Sequence, residues 1–218
     1  MNNLQKIISR LFKMILPLID RLAYLQFFNQ PFSAYPILNY QTYKELAEDA
    51  KKNTYSIEGV DKLEKESGFM IDRDWLNPLA FQTQVVIKKS KLNYAHGRVL
   101  YTVLRTYLTT LRQDSKKINI IETGTARGFS ALCMAKALND SGFDGSIFTV
   151  DVLPHHKKIF WNCAADHLKG KQTRQNLLSD WNELIEHYII FIQGYTRHLF
   201  PKLGLPRIHF AFLDGAHT

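Results

Sequence analysis

The stretch Ile118-Asn-Ile-Ile-Glu122-Thr-Gly124-Thr-Ala-Arg-Gly128-Phe-Ser130 decides how this chain is read. A short apolar run ends in an acid, and glycines follow at 124 and 128. A helical pattern then runs over 129–139. Outward from it, Ser146–Asp151 reads as a second strand ending in an acid. Tyr188–Gln193 reads as a third, stopped by Gly194, and Ile208–Asp214 as a fourth. Upstream, Asn93–Gln113 carries an apolar helical face. A helical stretch is expected between about 155 and 187, and a short helix over Thr196–Leu203. Strands alternating with helices predict an α/β fold, doubly wound on a mostly parallel sheet.

Ligands of such sheets bind outside the carboxyl ends of the strands. Three of the four expected strands end there in an acid: Glu122, Asp151 and Asp214. A carboxylate is costly to bury unpaired, so three along one edge predict a polar crevice. Glycines permit the tight first turn, and the helix starting near Gly128 offers free N–H groups to an anion. The turn is not the dinucleotide fingerprint, which would need glycine where Ala126 and Phe129 stand. Nor is it a P-loop, because no Gly-Lys-Ser/Thr ending follows. Glu122 suits a ligand with an ammonium group, and Asp151 suits ribose hydroxyls.

Ile121–Ser130 resembles the first motif of class I S-adenosylmethionine (SAM) dependent methyltransferases, and Phe148-Thr-Val-Asp151 resembles the second. Phe212-Leu-Asp-Gly-Ala-His217 is similar to the strand-four motif of the subgroup related to macrocin O-methyltransferase and cephalosporin hydroxylase-like proteins. The resemblance covers roughly residues 90–218 and implies a Rossmann-like fold, of which the chain holds the first four strands. It implies that Glu122, Gly124, Gly128 and Asp151 line the SAM pocket, with Thr125 and Ser130 of the same turn. Asp214 would face the substrate or a magnesium ion. His217, three residues on, is expected to reach the same hydroxyl or cation as general base. His96, at the start of the helix feeding the first strand, is the next catalytic candidate. The expected reaction is methyl transfer to an oxygen of a small molecule or sugar. Two readings compete with it: a nicotinamide-dependent oxidoreductase or epimerase, and a non-catalytic membrane-associated module on a methyltransferase fold.

The expected organisation is a helical region and linker over residues 1–90, then a SAM-binding domain over 91–218. Net charge is +8. Residues 1–117 hold 18 basic against 11 acidic side chains, and 118–218 hold 10 against 9, so the excess lies in the N-terminal half. Such a face attracts anions. Nucleic acid ranks low as a partner, because no Asn-Pro-Pro-Tyr type motif occurs. Leu4, Ile8, Leu11, Ile15, Leu18, Leu22 and Leu25 form one helical stripe interrupted at Pro17. Within residues 1–25 that stripe suits packing on the domain, a homodimer contact or a peripheral membrane helix. No run reaches the about 20 apolar residues that span a bilayer. Two short helices are expected near 41–52 and 57–67, with Gly68 as their stop signal. Arg98, Arg105 and Arg112 read as a solvated face or a docking strip for an anionic partner. Cys133 and Cys163 lack zinc spacing and predict a reducing, cytoplasmic setting. The His155–His156 pair reads as a solvated loop at the crevice rim. Ile208–Leu213 has the pattern of a strand buried on both faces, and ending at Thr218 would expose a hydrophobic edge, so a fragment of a longer reading frame or a truncated product is expected.

Overall fold

The computed structural model describes residues 39–86, 90–111, 117–205 and 207–215, with Gln5, Ile8, Arg10, Leu11, Met14, Ile15 and Leu18 of an N-terminal helix. Four parallel strands form the sheet: β1 Ile118–Thr123, β2 Gly145–Asp151, β3 Ile189–Gln193 and β4 Phe210–Leu213. Their order is β3-β2-β1-β4. The chain therefore builds outward from β1 through β2 to β3, then returns to the other side of β1 to lay down β4. This is the α/β Rossmann-like order, and its reversal opens a crevice between the carboxyl ends of β1 and β4. Registers pair Glu122 with Thr149 on one side and with Phe212 on the other.

The sheet is central because β1 is apolar on both faces and the helices supply what covers them. Ile118, Ile120, Ile121 and Ile147 are buried. The helix Phe129–Ser141 presents Ala131, Leu132, Met134 and Ala135 to that core, all fully buried. Against it lies the helix Ala95–Thr109. Their close approach is set at Gly97, where an added Cβ would come 2.6 Å from the Phe129 ring. Cys133 and Cys163 are buried free thiols.

The helices Tyr40–Thr54, Glu58–Ser67 and Arg73–Thr83 precede this unit. Asn39 caps the first, its side chain accepting from the Thr42 N–H at 2.9 Å. Gly68 ends the second at φ 74. The third is absent from the sequence reading, because Pro78 lies inside it and masks its periodicity. Ala50, Ile71, Leu76 and Leu79 join the same core as Leu104, Ile120 and Leu132. Ile8, Leu11, Met14, Ile15 and Leu18 are helical and between 46% and 76% exposed. No helix among the described residues is long and apolar enough to cross a membrane.

Two expectations need correcting. Arg98 is on neither a solvated face nor a docking strip: it is buried, and its guanidinium donates to Glu64, to Asp61 and to the Thr54 carbonyl. Arg105 is partly covered beside Tyr101 and Asp140, and Arg112 lies outside the described residues. The stretch 155–187 is not one helical run. It is irregular to Cys163, then breaks into Ala164–Lys169, Arg174–Leu177, a short 3₁₀ turn and Asn182–Tyr188. Gly170 at φ 67 ends the first piece, and Ile159 pairs with Gln172 across the break. β4 forms the edge of the described sheet, with Leu213 63% exposed.

Candidate active site

The carboxyl end of β1 leads into a turn whose backbone only glycine tolerates at two points. Gly124 has φ 84 and Gly128 φ 89. The Gly124 N–H donates to the Val150 carbonyl at 2.9 Å, fastening the turn to β2. On its other side a Cβ would meet the Asp214 carbonyl oxygen at 2.3 Å, so only a glycine lets the end of β4 close over the turn. At Gly128 a Cβ would reach Leu178 at 2.7 Å. Ala126 sits at φ 45 without being glycine, in a region that disfavours a side chain.

Asp151 holds this turn. One of its carboxylate oxygens accepts from the Ala126 N–H at 2.5 Å, and the other from the Leu153 N–H at 2.8 Å. Carboxylate oxygens have further lone pairs, so the group keeps acceptor capacity for a diol. Gly194 ties β3 to the same point, its N–H donating to the Asp151 carbonyl at 2.7 Å.

Glu122 lies beneath the turn rather than at its surface. It is fully buried, and it accepts from the Ser130 and Thr149 hydroxyls. Burial pushes its carboxyl up to about 7; the two hydroxyl donors oppose that shift, and Asp151 adds to it. Thr125 is buried as well, its hydroxyl 2.5 Å from that of Thr149. Glu122, Thr125, Thr149 and Ser130 thus form one hydroxyl–carboxyl cluster under the backbone that would carry the ligand. Ser130 spends its hydroxyl on Glu122, and the helix start above it leaves its first N–H groups for an anion.

Asp214 is exposed at the end of β4, and its own N–H donates to the Thr123 carbonyl at 3.1 Å. His96 stands near the start of the helix Ala95–Thr109, with its ring 4.8 Å from that of Phe129. The turn, Asp151, Asp214 and His96 therefore gather at the start of the helix Phe129–Ser141 and the strand ends beside it. His217 lies outside the described residues. The magnesium role implied for Asp214 finds no donor set: among the described residues no group of three or more His, Cys, Asp or Glu side chains is placed to hold a metal ion.

Sequence reading missed three participants. Thr149 was legible, since it precedes Asp151 by two residues on one face of β2. His155 and Arg174 were not, because His155 lies in irregular chain and Arg174 opens a helix of only four residues, too short to show a periodicity. His155 is no solvated rim residue. It is buried against Phe191, with ring centroids 4.4 Å apart, and 2.7 Å from the Arg174 guanidinium. Desolvation, then the Arg174 charge, hold it down to about 3, so it is neutral and can accept from that guanidinium. His156 beside it is exposed.

Residues 121–218 match the family model described as a methyltransferase domain. No curated protein matches the chain in sequence. Among solved structures, the chain is similar to the SAH-bound methyltransferase PaMTH1 of Podospora anserina, at 14% identity and a TM-score of 0.39. That likeness covers 84% of this chain, which spans 62% of the other.

Proposed function

We propose that this chain is a SAM-dependent methyltransferase, acting on an oxygen of a small molecule or sugar. The observation that carries the proposal is the Asp151 carboxylate at the end of β2, held by the N–H of Ala126 in the glycine turn that leaves β1. The methyltransferase-domain match over 121–218 supports it from the sequence side.

The residues present fit SAM. Gly124 and Gly128 give the turn its positive-φ backbone and let Asp214 and Leu178 pack against it, which fixes the turn beside the crevice. Asp151 offers acceptors to the ribose diol, and the N-terminus of the helix Phe129–Ser141 offers N–H groups to the carboxylate of the amino acid part. As pH rises through about 7 and Glu122 ionises, it adds negative potential from below, through the Ser130 and Thr149 hydroxyls, toward the ammonium group. Bound SAM supplies a methyl group already activated on sulfonium, for in-line displacement. What remains for the protein is alignment and removal of the acceptor's proton. We assign that proton to the exposed Asp214, whose backbone lies against Gly124, with His96 as the second candidate.

Calorimetric titration with SAM tests the proposal. Saturable binding is expected, weakened at least about tenfold in Asp151→Ala, the scale of a lost hydrogen bond to a charged group. Quenching of NADH fluorescence with no heat from SAM would hand the crevice to a dinucleotide.

A further inference from the structure

Arg174 is fully buried, yet no carboxylate lies within ion-pair distance of it among the described residues. Its Nε donates to the Ala126 carbonyl at 2.8 Å. Its Nη1 lies 2.7 Å from His155 Nδ1, and its Nη2 is buried with no partner. The guanidinium is flanked by the Trp161 ring at 5.3 Å and the Phe191 ring at 5.7 Å. The charges that act on it most are Asp151 and Glu122, so it sits within the field of the turn. A buried cation without a carboxylate partner is expensive, and its retention calls for a reason.

Ala126 supplies the reason. Its left-handed conformation costs about 1 kcal/mol or more in a residue with a Cβ, and such strain persists only where surroundings over-determine it. Here both polar groups of Ala126 are gripped. Its carbonyl accepts from Arg174, and its N–H donates to Asp151. Release of the first contact frees the residue to relax, which turns the N–H away from Asp151 and lets the carboxylate rotate.

Resting on the SAM reading, we infer that Arg174 is a positioning residue for the nucleoside: it holds Ala126 in its left-handed state, and through Ala126 it sets the Asp151 carboxylate that reads the ribose hydroxyls. The aromatic walls and the neutral His155 fix the guanidinium in the one orientation that does this. Lysine has one compact ammonium and no planar fork, so it does not reproduce the geometry in which Nε holds the Ala126 carbonyl while Nη1 meets His155.

The test measures binding of S-adenosylhomocysteine and of its 2′,3′-dideoxy analogue to the full chain, in the parent protein, Arg174→Lys, Arg174→Met and Ala126→Gly. The parent is expected to prefer the hydroxylated ligand by roughly tenfold or more. Arg174→Lys is expected to lose most of that preference while binding the dideoxy analogue within about twofold of the parent. Ala126→Gly should keep the preference, and the pair Ala126→Gly/Arg174→Lys should regain it, because glycine adopts the turn without being forced. Equal weakening of both ligands by Arg174→Lys, or no rescue by glycine, overturns the inference and leaves the SAM reading intact. Should Arg174→Met fail to fold, the lysine variant and its rescue still decide the matter. A parent protein that binds neither ligand sinks the SAM reading itself.

Discussion

Two of the buried arginines, Arg98 and Arg174, differ in how the fold treats their charge. Arg98, in the helical flank, meets Glu64 and Asp61 and so lies in a neutralised cluster, with only Asp61 half exposed. Arg174, at the strand ends, meets a carbonyl, a neutral imidazole and two aromatic faces, and one of its nitrogens goes without a partner. Both are out of water, but their surroundings differ. Where a cation only joins helices, the fold supplies it with carboxylates. Where it stands beside the glycine turn, the carboxylates are committed elsewhere: Asp151 to backbone N–H groups, Glu122 to hydroxyls. The charge between helices is paired within the protein, whereas the charge beside the turn is left partly unpaired.

The largest expected effect breaks the paired side. Arg98→Met leaves the Glu64 carboxylate, 4% exposed, without its partner. A loss of about 3–5 kcal/mol in urea unfolding is expected. Adding Glu64→Leu should return most of it, because the isolated charge is what costs. If the double variant is no more stable than Arg98→Met, the neutralised-cluster account fails.

A smaller effect sharpens the unpaired side. Glu122, held up to about 7 by burial, keeps its proton longer in the fold than in the unfolded chain. Its contribution is therefore complete below its ordinary 4.5 and is lost as pH rises through about 7. His155 runs the other way. Held down to about 3 by burial and Arg174, it favours the fold above its ordinary 6.5 and ceases to as pH falls through about 3. Between these limits the two slopes oppose each other. Glu122→Gln removes one of them, so its stability relative to the parent should rise by about 1.4 kcal/mol per pH unit between about 4.5 and 6.5. Chemical unfolding at four or five pH values reads this directly, and parallel curves for the two proteins would refute it.

The smallest effect returns to Arg98. Asp61 bonds the same guanidinium at 2.5 Å, but its side chain is 51% exposed, so water already screens it. Asp61→Asn is expected to cost no more than about 1 kcal/mol. A loss as large as that of Arg98→Met would mean that burial of Glu64 is not what separates the two partners.

The strands were legible because each is a short apolar run bounded by a glycine or an acid, a signal carried within six or seven residues. Each came within two residues of its place: Ile118–Thr123, Gly145–Asp151, Ile189–Gln193 and Phe210–Leu213. The turn at Gly124 and Gly128 and the strand end at Asp151 were legible for the same local reason. The burial of Glu122 was not, since it depends on hydroxyls from β2 and from the next helix. Arg98 misled because a seven-residue spacing of arginines looks the same whether the face meets water or another helix.

The sequence by itself determined the alternation of strands and helices, the glycine turn after β1 and the acids at the strand ends, because these rest on contacts between near neighbours in the chain. Only the tertiary structure decided that β4 returns beside β1, that Glu122 lies under the turn rather than on it, and that Arg174 reaches 48 residues back to grip Ala126. Those facts belong to residues far apart in sequence, brought together by packing around one apolar sheet, and no local pattern encodes them.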